Sequence, residues 1–104
     1  MKRGDVWWAN LAAPAGTRPV LLLSRDRAYA IRDFITIAPI SRSVRRIDAE
    51  VVLDVEDGMR ERCAANLDDI NTIAKTRLAD YITTLSEQKM TEVERAIKYA
   101  LAIP

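Results

Sequence analysis

The 104-residue chain contains no histidine, one cysteine, three glycines and a single phenylalanine. Without His it lacks the side chain most used for proton transfer near neutral pH and the commonest zinc ligand. The lone Cys63 excludes an intramolecular disulfide and any Cys-x-x-Cys metal or redox motif, and fits a reducing, cytoplasmic compartment. With only Gly4, Gly16 and Gly58, neither a Walker A loop nor a dinucleotide fingerprint can be written in the sequence, which argues against nucleotide-cofactor chemistry. No run approaches the ~20 apolar residues that span a bilayer. Met1-Lys2-Arg3 followed by Val6-Trp7-Trp8-Ala9 has the outline of a secretory leader. Asp5 and Asn10 interrupt it, however, and its polarity alternates as in a strand, so no leader is expected.

The composition, 49% hydrophobic and 30% charged, is that of one soluble domain spanning residues 1–104, long enough to bury roughly 65% of its unfolded surface. The formal net charge of +1 hides an asymmetry. Residues 18–46 hold seven Arg against Asp26 and Asp33, whereas residues 47–104 hold 12 acidic and 7 basic side chains. Arginine so concentrated is the footprint of an anionic partner, phosphate above all, or else a solvated surface paired with the acidic second half.

Hydrophobic patterning predicts strands over residues 5–11, 18–24, 34–38 and 49–55. Pro14 and Gly16 mark a turn after the first, and Asp57-Gly58 a turn after the fourth. Val20-Leu21-Leu22-Leu23 is continuous enough to imply burial on both faces. In the third strand Ile35 and Ile37 face away from Phe34, Thr36 and Ala38. Residues 41–46 read as an exposed Arg-rich loop, and residues 64–73 as one or two short strands anchored by Leu67, Ile70 and Ile73. Met90, Val93, Ile97 and Leu101 recur at helical steps, with Ser86 as N-cap, Leu85 placed to staple onto Met90, and Glu94 paired with Lys98. A short helical turn is expected over residues 75–81. The sum is an α+β fold, several short strands curling into a small β-barrel closed by a C-terminal helix.

Four segments carry a more specific signal. They are Arg3-Gly4-Asp5-Val6-Trp7, Gly16-Thr17-Arg18-Pro19-Val20-Leu21-Leu22-Leu23-Ser24, Ile37-Ala38-Pro39-Ile40-Ser41 and Leu67-Asp68-Asp69-Ile70-Asn71-Thr72-Ile73. In composition, order and spacing they resemble the MazF/PemK family of bacterial toxins, over essentially the whole chain. The resemblance implies an SH3-like barrel that dimerises and a cytoplasmic toxin of a type II toxin-antitoxin system. It also implies a sequence-specific endoribonuclease that cuts single-stranded RNA with no metal and no cofactor. In that chemistry the 2′-hydroxyl attacks its own phosphate, leaving a 2′,3′-cyclic phosphate and a 5′-hydroxyl. The implied partners are single-stranded messenger RNA, a second copy of the chain as a homodimer, and a cognate antitoxin whose flexible, acidic and apolar C-terminal segment occupies the RNA groove.

By the same resemblance Arg18 is the charge stabiliser, since a fixed fork of donors beside the scissile phosphate favours charge developing on its oxygens. An Arg that merely pins the loop before its strand is the alternative. Ser41, where many relatives have Thr, is a phosphate ligand or simply the residue that ends a strand and opens a polar loop. Asp68 falls on a position acidic in several relatives and is the candidate acceptor of the 2′-hydroxyl proton. A carboxyl ordinarily titrating near ~3.9 is a weak base unless burial or Asp69 raises it, and the two Asp residues orient Arg side chains in the other reading. Trp8 stands at an aromatic position of the family groove, where it stacks a base; a strand Trp is otherwise core, and Trp7 and Trp8 point to opposite faces. Thr17, Asn66 and Asp69 complete the expected RNA-binding set with Arg25 and Arg42, and Arg27, Arg45 and Arg46 add phosphate contacts that position without specifying sequence.

Asn66 and Asn71 stand where relatives carry Arg, and the loop over residues 12–17 is shorter than in many of them, so base preference does not transfer. Two alternatives belong to other classes. One is a toxin of the same fold that binds and poisons DNA gyrase, and the other an RNA-binding module without turnover.

Overall fold

The apolar run at the end of the second strand sets the centre of the molecule. In the computed structural model, which describes residues 1–104, β1 (Asp5–Asn10), β2 (Thr17–Leu22) and β3 (Phe34–Ser41) pair antiparallel in sequence order. Val20, Leu21 and Leu22 are each 0% exposed, so β2 is buried on both faces as its continuous hydrophobicity requires. Leu21, Ala38 and Ile40 enter one apolar layer, with Val20, Leu22, Ile35 and Ile37 in the other.

The remaining strands are β4 (Glu50–Leu53), β5 (Cys63–Asn66), β6 (Asn71–Ala74) and β7 (Leu78–Thr84). β3 shares its outer side, with residues 34–37 pairing with β6 and Ile40 and Ser41 with β5. The seven-stranded antiparallel sheet runs β4-β5-β3-β2-β1-β7, with β6 beside β3, and does not close. Its two edges nevertheless approach each other, giving a barrel-like curl. A 3-10 turn at Val55–Asp57 follows β4, and Thr83 Oγ1 of β7 donates to Asp57 O at 3.1 Å. Gly58, at φ 97°, packs against the Thr83 side chain; a Cβ at this position would collide with it.

Helix α2 (Glu87–Ala100) covers the first layer with Val93 and Ala96, and Met90, Ile97 and Ala100 pack alongside. Ser86 caps it, its Oγ accepting from Lys89 N at 3.1 Å. Leu101 is the C-cap and is exposed, so the buried stripe passes through Ala96 and Ala100 instead. The buried Asp5, 4% exposed, ties the N-terminus down. Its carboxylate accepts from Thr84 Oγ1, Lys2 N and Trp7 Nε1 at 2.7, 3.1 and 3.3 Å.

Two elements differ from expectation. Residues 75–81 are not a helical turn throughout; only Lys75–Arg77 forms one 3-10 turn, and Leu78–Thr84 is a full strand. β7 pairs with β1 through two register shifts, Val6/Trp7 and Trp7/Ala9, and such bulges erase the alternation that marks a strand in sequence. The four-residue helix α1 (Ala28–Ile31) was also unexpected. It is held by the buried Tyr29, whose hydroxyl donates to Ser24 O at 3.1 Å.

Candidate active site

Two clefts meet at the end of the sheet where β2 begins and β3 ends. Val20 pairs with Pro39; continuing that register by two residues sets Arg18 level with Ser41. Both line each of the clefts. The first, about 490 Å³, has Trp8 in one wall and Ile40, Met59 and Cys63 as apolar lining. The second, about 430 Å³, takes Pro39, Glu50, Asn66 and Asp69 from β3, β4 and the turn after β5.

Arg18 is exposed and donates from Nε to Ala15 O at 2.9 Å. This bond fixes the base of the guanidinium on the loop before β2 and leaves both Nη groups without a protein acceptor. The two readings of Arg18 are thus compatible, because one nitrogen pins the loop and the others remain available to an anion. Ser41 Oγ accepts from Ser43 N at 3.1 Å, so the hydroxyl stops the strand and still has its own proton to donate. Thr17 Oγ1 donates to Asn10 Oδ1 at 3.0 Å beside the first cleft.

The turn at Leu67–Asp69 follows β5 because Leu67 is buried while Asn66 caps it, accepting at Oδ1 from Asp68 N at 3.0 Å. Asn66 Nδ2 also donates to Asp69 Oδ2 at 2.8 Å. Asn66 and Asp69 line the second cleft, and Asp68 lines neither. The two tryptophans part as the strand pleat demands. Trp7 packs on the second apolar layer and meets Tyr81 edge-on at 6.0 Å, while Trp8 faces the first cleft.

The expected basic contacts divide. Arg42 lines the first cleft and lies 3.4 Å from Glu61. Arg45 lines the second cleft, with its Nε 2.7 Å from Glu50 Oε2 and its backbone N donating to Oε1 of the same carboxylate, whose side chain is only 3% exposed. Arg25 and Arg27, beyond the far end of β2, are exposed and line neither cleft. Met59, Arg60, Glu61 and Ile82 line the first cleft without having been singled out in the sequence. The charged run Arg60-Glu61-Arg62 was visible there, but nothing linked it to Arg18.

Burial pushes the Cys63 thiol up to about 11, with Glu61, Asp54 and Asp57 adding to the effect. It is therefore a thiol rather than a nucleophilic thiolate near neutral pH. No three His, Cys, Asp or Glu side chains come together to hold a metal ion. The groups gathered here are thus arginines, hydroxyls, an amide and three carboxylates, Glu50, Glu61 and Asp69, a set suited to binding an anionic ester and moving its protons.

A family profile described as PemK-like, MazF-like toxin of type II toxin-antitoxin system matches residues 2–101. The chain belongs to this family. It is 33% identical over 100 residues to the probable endoribonuclease MazF5 of Mycobacterium tuberculosis, covering 95% of this chain and 91% of that one. With endoribonuclease EndoA of Bacillus subtilis the identity is 31% over 111 residues, covering 99% and 96%. Among solved structures, Mycobacterium tuberculosis toxin MazF-mt6 superposes with a TM-score of 0.89 at 27% identity, over 96% of this chain and 98% of that one. No helix is long and apolar enough to cross a membrane.

Proposed function

We propose that this toxin is itself an endoribonuclease that cuts single-stranded messenger RNA at a short sequence, without a metal, by attack of the 2′-hydroxyl on the adjacent phosphate. The observation that carries the reading is the placement of Arg18 and Ser41, level on neighbouring strands and common to both clefts. A phosphate there meets the free Nη groups of Arg18 and the Ser41 hydroxyl. Both donate to its non-bridging oxygens, where negative charge grows as the new phosphorus–oxygen bond forms. The bond to the 5′-oxygen then breaks as that oxygen takes a proton from solvent water, giving a 2′,3′-cyclic phosphate and a 5′-hydroxyl.

The proton of the 2′-hydroxyl goes to a carboxylate of the turn after β5. Asp68 is the acceptor implied by the resemblance; Asp69 is the one that lines a cleft and is oriented by Asn66, which supports Asp69. Trp8 stacks a base, and Thr17 and Arg42 hold neighbouring phosphates. The reading includes a homodimer and an antitoxin segment, acidic and apolar, that competes for the cationic cleft.

The test is incubation of the folded, antitoxin-free protein with a long single-stranded RNA in excess EDTA, mapping both fragment ends. Cuts at a recurring motif with cyclic phosphate ends are expected. The pH–rate profile should lose its acid limb in the variant of the accepting carboxylate, Asp69→Asn, and keep it in Asp68→Asn. Intact RNA contradicts the reading and points to gyrase binding or RNA binding without turnover.

A further inference from the structure

The second cleft contains another arginine built like Arg18. Arg45 Nε donates to Glu50 Oε2 at 2.7 Å, as Arg18 Nε donates to Ala15 O, and neither Nη group of Arg45 has a protein acceptor. Each guanidinium is anchored at its base and open at its fork. The anchor on Arg45 is the stronger, because it is charge-assisted and doubled: Arg45 N donates to the other carboxylate oxygen, Oε1, at 2.9 Å. Glu50 therefore grips the backbone and the side chain of one residue together.

Burial gives the pair a direction. The Glu50 side chain is 3% exposed and that of Arg45 52%, so the carboxylate lies behind and the guanidinium faces the solvent. Water hardly reaches the carboxylate oxygens to compete for them, and losing Arg45 would leave a buried charge uncompensated. Glu50 opens β4 opposite Asn66 of β5, whereas Arg45 lies in the loop after β3. The loop passes next through Arg46 at φ 57°, a left-handed conformation uncommon for a residue with a Cβ. Such a conformation persists where its surroundings hold it, and the clamp on the preceding residue does so.

We infer that Arg45 binds a backbone phosphate next to the scissile one and that Glu50 is its positioning residue. This rests on the endoribonuclease reading above. Arg18 stands level with Ser41 on β2, whereas Arg45 is tethered to β4, so the two forks take separate phosphates of one strand along the second cleft. The contact at Arg45 contributes to holding the strand and not to the bond changes.

The experiment compares the parent with Arg45→Gln, Glu50→Gln and the double variant. Cleavage of a single-stranded RNA in EDTA gives kcat and KM. A 2′-deoxy oligonucleotide of the same sequence, which lacks the attacking hydroxyl, gives Kd across a salt series, and urea titration gives stability. Arg45→Gln keeps an amide donor for the buried carboxylate. It should raise KM and Kd about tenfold, leave kcat within about twofold, and lower the salt slope by about 0.7, the share of one phosphate on a single strand. Glu50→Gln removes a negative charge from a groove for a polyanion, so by charge alone it would bind more tightly. Because Glu50 holds Arg45, it should instead bind several-fold more weakly with kcat retained, and the double variant no more weakly than Arg45→Gln. Should Glu50→Gln fail to fold, Glu50→Asp, which keeps the charge and withdraws the acceptor, replaces it with the same expectation. Equal or tighter binding by the folded Glu50 variant, or an unchanged salt slope in Arg45→Gln, overturns the inference while leaving the nuclease intact. A parent that binds without cutting overturns the nuclease reading alone, and one that does neither overturns both.

Discussion

The two ends of strand β2 are built for different purposes. At Val20–Leu22 the strand is sealed on both faces by two apolar layers. At Thr17 and Arg18, three residues earlier, both side chains are exposed, held only by Asn10 and the Ala15 carbonyl. A strand rigid at one end positions the other without asking the functional side chains to contribute to stability. Polar groups that await an anion can then keep unused donors, since they are never desolvated in the free protein.

The comparison predicts a separation between substitutions that break the fold and those that break the chemistry. The largest effect belongs to the sealed end. Leu21→Ala should lower the unfolding free energy by about 2–5 kcal/mol through lost burial and the cavity left behind. Urea titration would measure this, and RNA cleavage per folded molecule should stay near that of the parent. Gly58→Ala, at the seam between the sheet edges, should cost about 1–2 kcal/mol or more, because an L-residue at positive φ is strained and the new methyl meets Thr83. Thermal unfolding checks it, again with the cleavage motif unchanged.

The smallest effect concerns pH. Burial and the nearby Asp26 push the Tyr29 phenol up to about 12. The neutral form is favoured in the folded chain, so its contribution to stability is complete below the ordinary value near ~10. It is lost as pH rises from there to about 12. Tyr29→Phe should cost about 1 kcal/mol near neutrality, for the bond to Ser24 O, and should flatten the alkaline loss seen in denaturation midpoints.

The parts legible in the sequence share a physical reason, as do the parts that were not. β1 to β3 and α2 carry their periodicity openly because each buries a regular face. β7 hid behind two bulges, and the single turn of α1 is too short for periodicity to register. The site was legible to the extent that its motif survives in the chain. Arg18, Ser41, Trp8, Thr17 and Arg42 come together at the first cleft, and Asn66 and Asp69 at the second. What stayed hidden depends on register and on local partners. Glu61 and Arg60 reach the cleft only because β5 pairs with the last residues of β3. Arg45 lines the second cleft and also clamps the loop on Glu50, a contact that depends on the chain path after β3. Asp68 and Asp69 cannot be told apart by sequence, since only the path of the turn decides which one faces a cleft.

The most direct test of this division of labour is Arg18→Ala, assayed in parallel for denaturant unfolding and for cleavage of single-stranded RNA in EDTA. The expected result is a stability within about 0.5 kcal/mol of the parent, as for an exposed residue, with cleavage reduced by about 10²-fold or more. Cleavage preserved in a folded Arg18→Ala protein would contradict the account, and so would a loss of activity fully explained by unfolding.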